Sequence, residues 1–258
     1  MYILIITTKL AVAAYFLFAG ALYFKQHSLL YFPTPKIPHN FDDLIFSHQG
    51  EDLNIIVLNK GQQKTILYFG GNKEPVAINA ERFSTIFPDH TVYLVNYRGY
   101  GGSTGKPGEE ENYADAKAIF ELLKIQHNDI SVMGRSLGSG VATYLASIKD
   151  VKKLVLITPF DSIQSVAQSR FPLHPMSILL KDKYKSAHKA KDVKAETMIL
   201  IAEHDKTIKL ARTHGLIEAF AESHTAKTSP IVSKTIKNTD HNSILESDSY
   251  YHSLQNFL

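Results

Sequence analysis

The sequence predicts an α/β fold with a mostly parallel eight-stranded sheet, helices on both faces of the sheet and a small cap. Of its 258 residues, 44% are hydrophobic and 21% are charged, so one domain can bury a substantial core, and disordered or coiled-coil classes are excluded. Eight short apolar stretches are spaced along the chain, and stretches with helical periodicity separate most of them. This alternation is typical of a parallel sheet covered by helices.

The elements follow from these periodicities in chain order. Two strands joined by a turn at Gly50 come first, and a regular strand–helix alternation follows them. The predicted strands are 44–48, 53–58, 65–69, 91–96, 130–133, 153–157, 198–202 and 231–236. The predicted helices are 77–86, 113–125, 137–148, 210–221 and 243–257. An antiparallel start to a mostly parallel sheet is therefore expected.

An apolar segment precedes these elements. Residues 2–24 carry a single charge, on Lys9, and as a helix they would extend ~35 Å, enough for a bilayer core of ~30 Å. Lys9 lies near the start of this helix, where a long side chain can reach the headgroups. We therefore expect a single-pass membrane anchor at 1–24, a linker at 25–40 that contains three prolines, and the main domain at 41–258.

Two other interpretations of the apolar segment stay open. It can be a secretory signal that is cleaved after the small residues Ala19-Gly20-Ala21, or a helix that packs on the domain. If the segment is an anchor, the positions of Lys25 and Lys36 weakly favour a cytoplasmic main domain.

Composition and spacing also exclude several functions. The chain has no cysteine, which excludes disulfides, thiol nucleophiles and thiolate metal sites. The 28 Lys and Arg residues are interleaved with 25 Asp and Glu residues, so no basic patch for nucleic acid is expected. No pair of histidines has the spacing of a zinc-hydrolase helix. We expect no metal, no cofactor and no nucleic-acid partner.

The motif Gly134-Arg135-Ser136-Leu137-Gly138 falls between the predicted strand 130–133 and the predicted helix 137–148. A GxSxG sequence in this strand-turn-helix setting is typical of a nucleophile elbow, in which Gly134 and Gly138 leave room for a sharp turn that exposes the serine. Ser136 is therefore the candidate nucleophile.

A nucleophilic serine needs a base, and the base needs an acid that orients it. Asp205 lies just after the strand 198–202, and His241 lies after the last strand, so the order is serine, acid, histidine. We predict Asp205 as the acid and His241 as the base. Asp161, which follows the strand 153–157, stays open as an alternative acid.

An oxyanion hole is expected from two backbone N–H groups. One belongs to Leu137, the residue after the serine. The other belongs to Asn72, in the loop Gly70-Gly71-Asn72 after the strand 65–69, because two glycines let the backbone approach a substrate.

Together these residues resemble the alpha/beta-hydrolase superfamily, from about residue 31 to the C terminus. More narrowly, the chain is similar to membrane-anchored, small-cap serine hydrolases that include protein depalmitoylases and lysophospholipid lipases. The resemblance rests on the anchor with Leu29-Leu30-Tyr31-Phe32-Pro33, on Asn96-Tyr97-Arg98-Gly99-Tyr100-Gly101 with Tyr113-Ala114-Asp115-Ala116, on the elbow 134–138, and on Asp240-His241-Asn242. It implies that Ser136, Asp205 and His241 form a catalytic triad. Gly70 departs from the family pattern, because many relatives have a histidine there, and Ser243 departs where an aspartate commonly follows the asparagine.

The leading hypothesis is a serine hydrolase that cleaves an ester or thioester of a small or lipid acyl substrate near the membrane. The same residues permit a peptidase or amidase, and a non-catalytic, membrane-tethered interaction module is the alternative from another class. The stretch 160–195 leaves room for only a small cap. Its apolar residues either line an acyl groove or form a packed helix face; they are Phe171, Pro172, Pro175, Met176, Ile178, Leu179 and Leu180.

Overall fold

One eight-stranded sheet organises the computed structural model, which describes residues 1–223 and 230–258. Its strands are β1 Asp42–His48, β2 Glu51–Leu58, β3 Lys64–Phe69, β4 His90–Val95, β5 Asp129–Arg135, β6 Lys153–Ile157, β7 Glu196–Ala202 and β8 Ile231–Ile236. Their order is β1-β2-β4-β3-β5-β6-β7-β8. β2 pairs antiparallel with β1 and with β4, and all other neighbours are parallel. The predicted mostly parallel sheet is confirmed.

Helices cover both faces of this sheet. The helices of the described residues are α1 Tyr2–Leu30, α2 Ala80–Ile86, α3 Glu109–Lys124, α4 Leu137–Ile148, α5 Ile163–Arg170, α6 Met176–Leu179, α7 Ser186–Ala190, α8 Leu210–Ser223 and α9 Asp248–Phe257. Of these, α2, α3, α4, α7, α8 and α9 pack on the sheet. Side chains alternate along β3, so that Leu67 and Phe69 join a buried cluster with α3, α4, α7 and α8, whereas Ile66 and Tyr68 join one with α2 and α9. The core therefore lies in two layers, one on each side of the sheet.

Two predicted helices differ from the observed ones. The helix expected at 77–86 begins as a 3-10 turn, Val76–Asn79, and becomes α-helical only at α2. The helix expected at 243–257 is divided into a 3-10 turn, Ser243–Glu246, and α9. Ser247 between them has an extended backbone, and a serine followed by an acidic residue is a typical helix start.

The first helix is longer than expected. α1 continues to Leu30, so residues 25–30, which we expected in the linker, are helical. No proline or glycine interrupts these six residues, and Pro33 is the first proline after them. Residues 1–14 are exposed, whereas the second half of α1 contacts the cap, as the packed-helix interpretation expects. Among the described residues, α1 is the one helix long and apolar enough to cross a membrane.

The cap consists of two short helices, α5 and α6, between β6 and β7. The third helix of this stretch, α7, packs against α4 and α8 and therefore belongs to the layer that covers the sheet. This arrangement agrees with the expectation that residues 160–195 leave room for only a small cap. Ser136, at the end of β5, lies below the cap.

Candidate active site

The turn between β5 and α4 holds Ser136 in an unusual backbone conformation. Its φ is 50° and its ψ is −116°, values that a residue with a side chain rarely adopts. A conformation of this kind costs on the order of 1–3 kcal/mol and persists only where the surrounding structure enforces it. Such strain is common at functional sites.

The two glycines of the motif lie where the surroundings leave no room for a side chain. A Cβ atom at Gly134 would overlap the carbonyl oxygen of Gly138, and a Cβ at Gly138 would overlap the carbonyl oxygen of Phe69. Both contacts involve backbone atoms, which cannot move aside as a flexible side chain can. The glycines therefore allow β5, α4 and the loop after β3 to approach one another around Ser136.

Ser136, His241 and Asp205 form one hydrogen-bonded set. The Nε2 atom of His241 lies 2.9 Å from Oγ of Ser136, and its Nδ1 atom lies 2.7 Å from Oδ2 of Asp205. The other carboxylate oxygen of Asp205 accepts the backbone N–H groups of Thr207 and Ile208, at 2.9 and 2.8 Å. All three side chains of the set are more than nine-tenths buried, so water competes little for these bonds.

Asp161, the alternative acid, has other partners. Its carboxylate accepts a hydrogen bond from Arg212 at 2.9 Å and one from the N–H of Ser162 at 2.6 Å. Burial raises the pKa of Asp161, against the lowering effects of the Ser162 N–H and of Arg212. The structure brings Asp205, and not Asp161, to His241.

The loop after β3 presents Asn72 beside Ser136. Tyr97 donates its hydroxyl to the carbonyl oxygen of Gly70 at 2.8 Å, and Tyr100 donates to that of Asn72 at 2.9 Å. These bonds fix the loop through its carbonyl groups. Within residues 1–223 and 230–258, neither the N–H of Asn72 nor that of Leu137 donates a hydrogen bond. Two free donors therefore lie at the wall of the cavity that contains Ser136.

That cavity has a volume of about 190 Å³ and is mainly apolar. Its lining residues come from the elbow, the Asn72 loop, the segment after Asp205, the cap and α1. The cap contributes Ile163, Val166, Ala167, Arg170, Phe171, Met176, Leu179 and Leu180; α1 contributes Leu22, Gln26, Leu29 and Leu30. The C-terminal end of α1, which includes residues that we expected in the linker, is thus one wall of the site, a feature that the sequence did not indicate.

The comparisons with known proteins agree with this geometry. A family model described as the alpha/beta hydrolase fold matches residues 69–243, which include the elbow, Asp205 and His241. The chain belongs to the alpha/beta hydrolase family. The predicted superfamily and fold class are confirmed, and the membership supports a hydrolase-type enzyme.

Three individual proteins that are similar to this hydrolase share 34% or less of the aligned residues with it. An uncharacterized protein of Mycobacterium tuberculosis is 29% identical over 214 residues, which are 77% of this chain and 76% of the relative. A lysophosphatidylserine lipase of Bos taurus is 34% identical over 97 residues, 35% of this chain and 23% of the lipase. The esterase Pf2001 of Pyrococcus furiosus superposes with a TM-score of 0.69 at 17% identity, over 88% of this chain and 96% of the esterase. At that identity the esterase shows the shared fold alone.

Arg135 and Glu74 form a buried ion pair beside the elbow, which the sequence did not predict. Arg135 contacts Glu74 at 2.7 Å, and its guanidinium also donates to the carbonyl oxygen of His241 at 2.7 Å. Glu74 accepts the N–H of Gly71 at 2.8 Å and the hydroxyl of Tyr68 at 2.5 Å. The pair therefore connects three segments: the loop that contains Asn72, the elbow and the loop that contains His241.

Gly70 is the position in the sequence that could have indicated this ion pair. A Cβ at Gly70 would overlap Val76 and would touch the carboxyl group of Glu74, so those two side chains occupy the space beside Gly70. Glu74 is also the one acidic residue in its loop, from Gly70 to Asn79. A departure from the family motif that is followed by a lone acid could have indicated a buried ion pair.

The charges of this pair stabilise each other. Burial alone raises the pKa of Glu74, but the adjacent Arg135 and hydrogen bonds from Tyr68 and from the N–H of Gly71 lower it below its ordinary value. Burial alone lowers the pKa of Arg135, but Glu74 raises it above its ordinary value. Both groups are therefore charged at neutral pH.

Across residues 1–223 and 230–258, no group of three or more His, Asp or Glu side chains is arranged to hold a metal ion.

Proposed function

We propose that the protein is a membrane-anchored serine hydrolase that cleaves a carboxylic ester or thioester through an acyl-enzyme. The distance of 2.9 Å between Nε2 of His241 and Oγ of Ser136, at the wall of an apolar cavity, carries this proposal. A serine hydroxyl becomes nucleophilic when a base accepts its proton during attack. His241 lies within reach of that proton.

The reaction has two halves. Oγ of Ser136 attacks the acyl carbonyl carbon while Nε2 of His241 accepts its proton, and the resulting imidazolium then gives this proton to the leaving alcohol or thiol. In the second half, water attacks the acyl-enzyme, gives a proton to His241 and releases the acid, and His241 returns the proton to Ser136. Asp205 accepts the Nδ1–H of His241 throughout, which selects the tautomer with a free Nε2.

The N–H groups of Leu137 and Asn72 are proposed to bind the oxyanion of the tetrahedral intermediate. Support comes from their position, because both residues line the cavity with Ser136 and neither N–H has a partner among the described residues. The N–H of Gly71, in contrast, is occupied by Glu74. Removing one oxyanion donor typically costs on the order of 10²–10³ in kcat.

The proposed substrate is a small or lipid molecule with an apolar acyl chain. Leu, Ile, Val, Met and Phe side chains dominate the cavity wall, and they favour an acyl chain over a polar peptide. A relative named as a lysophosphatidylserine lipase and a structural neighbour named as an esterase fit this class.

Helix α1 is proposed as the membrane anchor. It has 29 residues and an apolar composition, and Lys9 is the one charged residue before Lys25. Lys9 can extend along the helix to the headgroups. By the positive-inside rule, Lys25 near the end of α1 and Lys36 after it weakly favour a cytoplasmic catalytic domain.

A substrate panel tests the proposal. Purified full-length protein in detergent is offered nitrophenyl esters of short and medium chain, a long-chain lysophospholipid, an acyl thioester and an aminoacyl amide, with the Ser136→Ala variant as control. We expect turnover of esters or thioesters by the wild type alone. Faster turnover of the amide would support the peptidase alternative. A lack of turnover together with a lack of fluorophosphonate labelling would support the non-catalytic module.

A further inference from the structure

The cap and α1 meet well within the apolar part of the helix. Residues 1–14 are exposed, and Tyr15 is the first half-buried residue of α1. Its hydroxyl donates to the carbonyl oxygen of Leu173 at 3.0 Å, and its ring stacks on His174 with centroids 4.5 Å apart. The cap is therefore in contact with the helix nine residues before the predicted end of the anchor at 24.

A second contact joins the cap to α1 nearer the C-terminal end of the helix. The side-chain amide of Gln26 donates to the carbonyl oxygen of Leu179 at 3.1 Å, and its oxygen accepts the N–H of Lys181 at 2.7 Å. From Tyr15 to Gln26 the helix rises ~16 Å. The segment 171–180, which we call the cap tip, lies along this part of α1.

The length of α1 determines the depth of this contact. The exposed helical residues before Tyr15 extend ~20 Å, whereas a spanning helix must cross a hydrocarbon core of ~30 Å. The stretch of α1 before the first cap contact is therefore too short by ~10 Å to span the core. If α1 spans the bilayer, the turns that begin at Tyr15 also lie in the hydrocarbon region, and the side chains packed on them lie at the same depth.

The composition of the cap tip is apolar, as a segment in the hydrocarbon region of a bilayer requires. Its ten residues include no charged residue, and Arg170 and Lys181 flank it on the two sides. Leu173 and Ile178 are 79% and 78% exposed, although both are large and apolar. The ammonium group of Lys181 lies 5.2 Å from the ring of Tyr23. Cations and a tyrosine beside an apolar tip are typical of a segment whose ends lie at the headgroups.

We propose that the cap tip is a second membrane-contacting surface, which inserts into the bilayer beside α1 to the depth of the first acyl carbons. This inference rests on the proposed anchoring by α1. Interfacial segments of this kind enter ~5–10 Å, which agrees with the missing length of the helix. The cavity beside Ser136 lies between α1 and the cap, with Leu22 on one wall and Leu179 on another. An acyl chain can therefore pass from the bilayer to Ser136 without crossing water.

Single tryptophans test the insertion, because the chain has none of its own. Leu173→Trp, Ile178→Trp, Leu4→Trp and Ile125→Trp are made separately in the full-length protein and reconstituted into phosphatidylcholine vesicles, with or without bromine on the acyl chains. Ile125 is the matched control, since it is 80% exposed at the end of α3 and outside α1 and the cap. Leu4 reports on the anchor. All four positions are exposed, so none of these variants perturbs the core.

We expect brominated lipid to quench the Leu173→Trp and Ile178→Trp variants and to leave the Ile125→Trp variant unquenched. Quenching of Leu4→Trp without quenching at either cap position overturns the cap insertion but agrees with α1 as a membrane anchor. Quenching at the cap without quenching at position 4 supports the cap surface and overturns a spanning α1. If none of the four is quenched, both the anchor and the cap insertion are wrong.

Discussion

The guanidinium of Arg135 donates a hydrogen bond of 2.7 Å to the carbonyl oxygen of His241. Arg135 precedes Ser136 in the chain, so this bond ties the elbow directly to the loop that carries the imidazole. The same guanidinium contacts Glu74, which holds the loop before Asn72. One buried ion pair therefore sets the relative positions of the proposed nucleophile, base and oxyanion donor.

Arg135→Met should destabilise the protein strongly. It leaves the carboxylate of Glu74 buried without its cation, and breaking a buried pair in this way costs about 3–5 kcal/mol. Urea denaturation measures the free energy of unfolding. The matched control is Arg82→Met, whose partner Asp248 is 83% exposed, and it should cost at most about 1 kcal/mol. Equal losses in the two variants would contradict the account of the pair.

Acid should remove the stability that Glu74 contributes. Its pKa is lower in the folded state than the ordinary value of about 4.3, so the contribution is complete above that value and is lost as the pH falls through the folded-state pKa. Glu74→Gln resembles the protonated form. The wild type should therefore be more stable than Glu74→Gln at pH 7, and the difference should shrink below pH ~4. A difference that is the same at pH 7 and pH 3 would exclude this explanation.

Asp205→Asn and Asp161→Asn should separate the two candidate acids. The first removes the acceptor that fixes the His241 tautomer, and such a change lowers kcat on the order of 10⁴-fold. The second neutralises a carboxylate whose hydrogen bonds go to Arg212 and to the N–H of Ser162 and not to His241, so kcat should stay near that of the wild type. Initial rates on a nitrophenyl ester measure both. If Asp161→Asn were the inactive variant, the assignment of the acid would be wrong.

Gly138→Ala should disturb both folding and activity, because the added Cβ overlaps the carbonyl oxygen of Phe69. Overpacking typically costs about 1–3 kcal/mol, and we expect the upper end of that range, since the obstacle is backbone. Gly20→Ala is the control, because nothing lies within 4 Å of a Cβ there. Denaturation and ester turnover should be unchanged in the control. Normal stability of Gly138→Ala would show that the elbow is looser than described.

Removal of residues 1–14 should abolish alkali-resistant membrane binding but preserve turnover of a soluble ester, since these residues are exposed and none of them lines the cavity beside Ser136. Removal of residues 1–30 should also lower turnover. It deletes one cavity wall and the carbonyl oxygen of Leu30, which accepts the side-chain amide of Asn72. Sedimentation and rates on the same ester distinguish the two. Full activity without residues 1–30 would show that α1 has no part in the site.

Local patterns were sufficient to predict the sheet, the elbow and the candidate acid and base. Each of Ser136, Asp205 and His241 follows a predicted strand, and the carboxyl ends of parallel strands meet at one edge of the sheet. The division at Ser247 was missed because helical periodicity continues across it.

Two features of the site depend on contacts between segments that are far apart in the sequence. Glu74 and Arg135 are 61 residues apart, and neither position has a periodicity that points to the other. Helix α1 is apolar on all sides, so its sequence does not distinguish the face that packs on the cap from the face that points to lipid. Such pairings arise only when the sheet brings distant segments together.

The most direct test of the central claim is the site of covalent labelling by a fluorophosphonate. The wild-type protein is labelled and digested, and the modified peptide is sequenced by mass spectrometry. Ser136→Ala is treated in parallel, with Ser147→Ala as the control, because Ser147 lies on the same helix α4 and its hydroxyl donates only to the carbonyl oxygen of Tyr144. We predict one adduct, on Ser136, that is absent from Ser136→Ala and retained by Ser147→Ala. An adduct on another residue, or equal labelling of Ser136→Ala, would contradict the account.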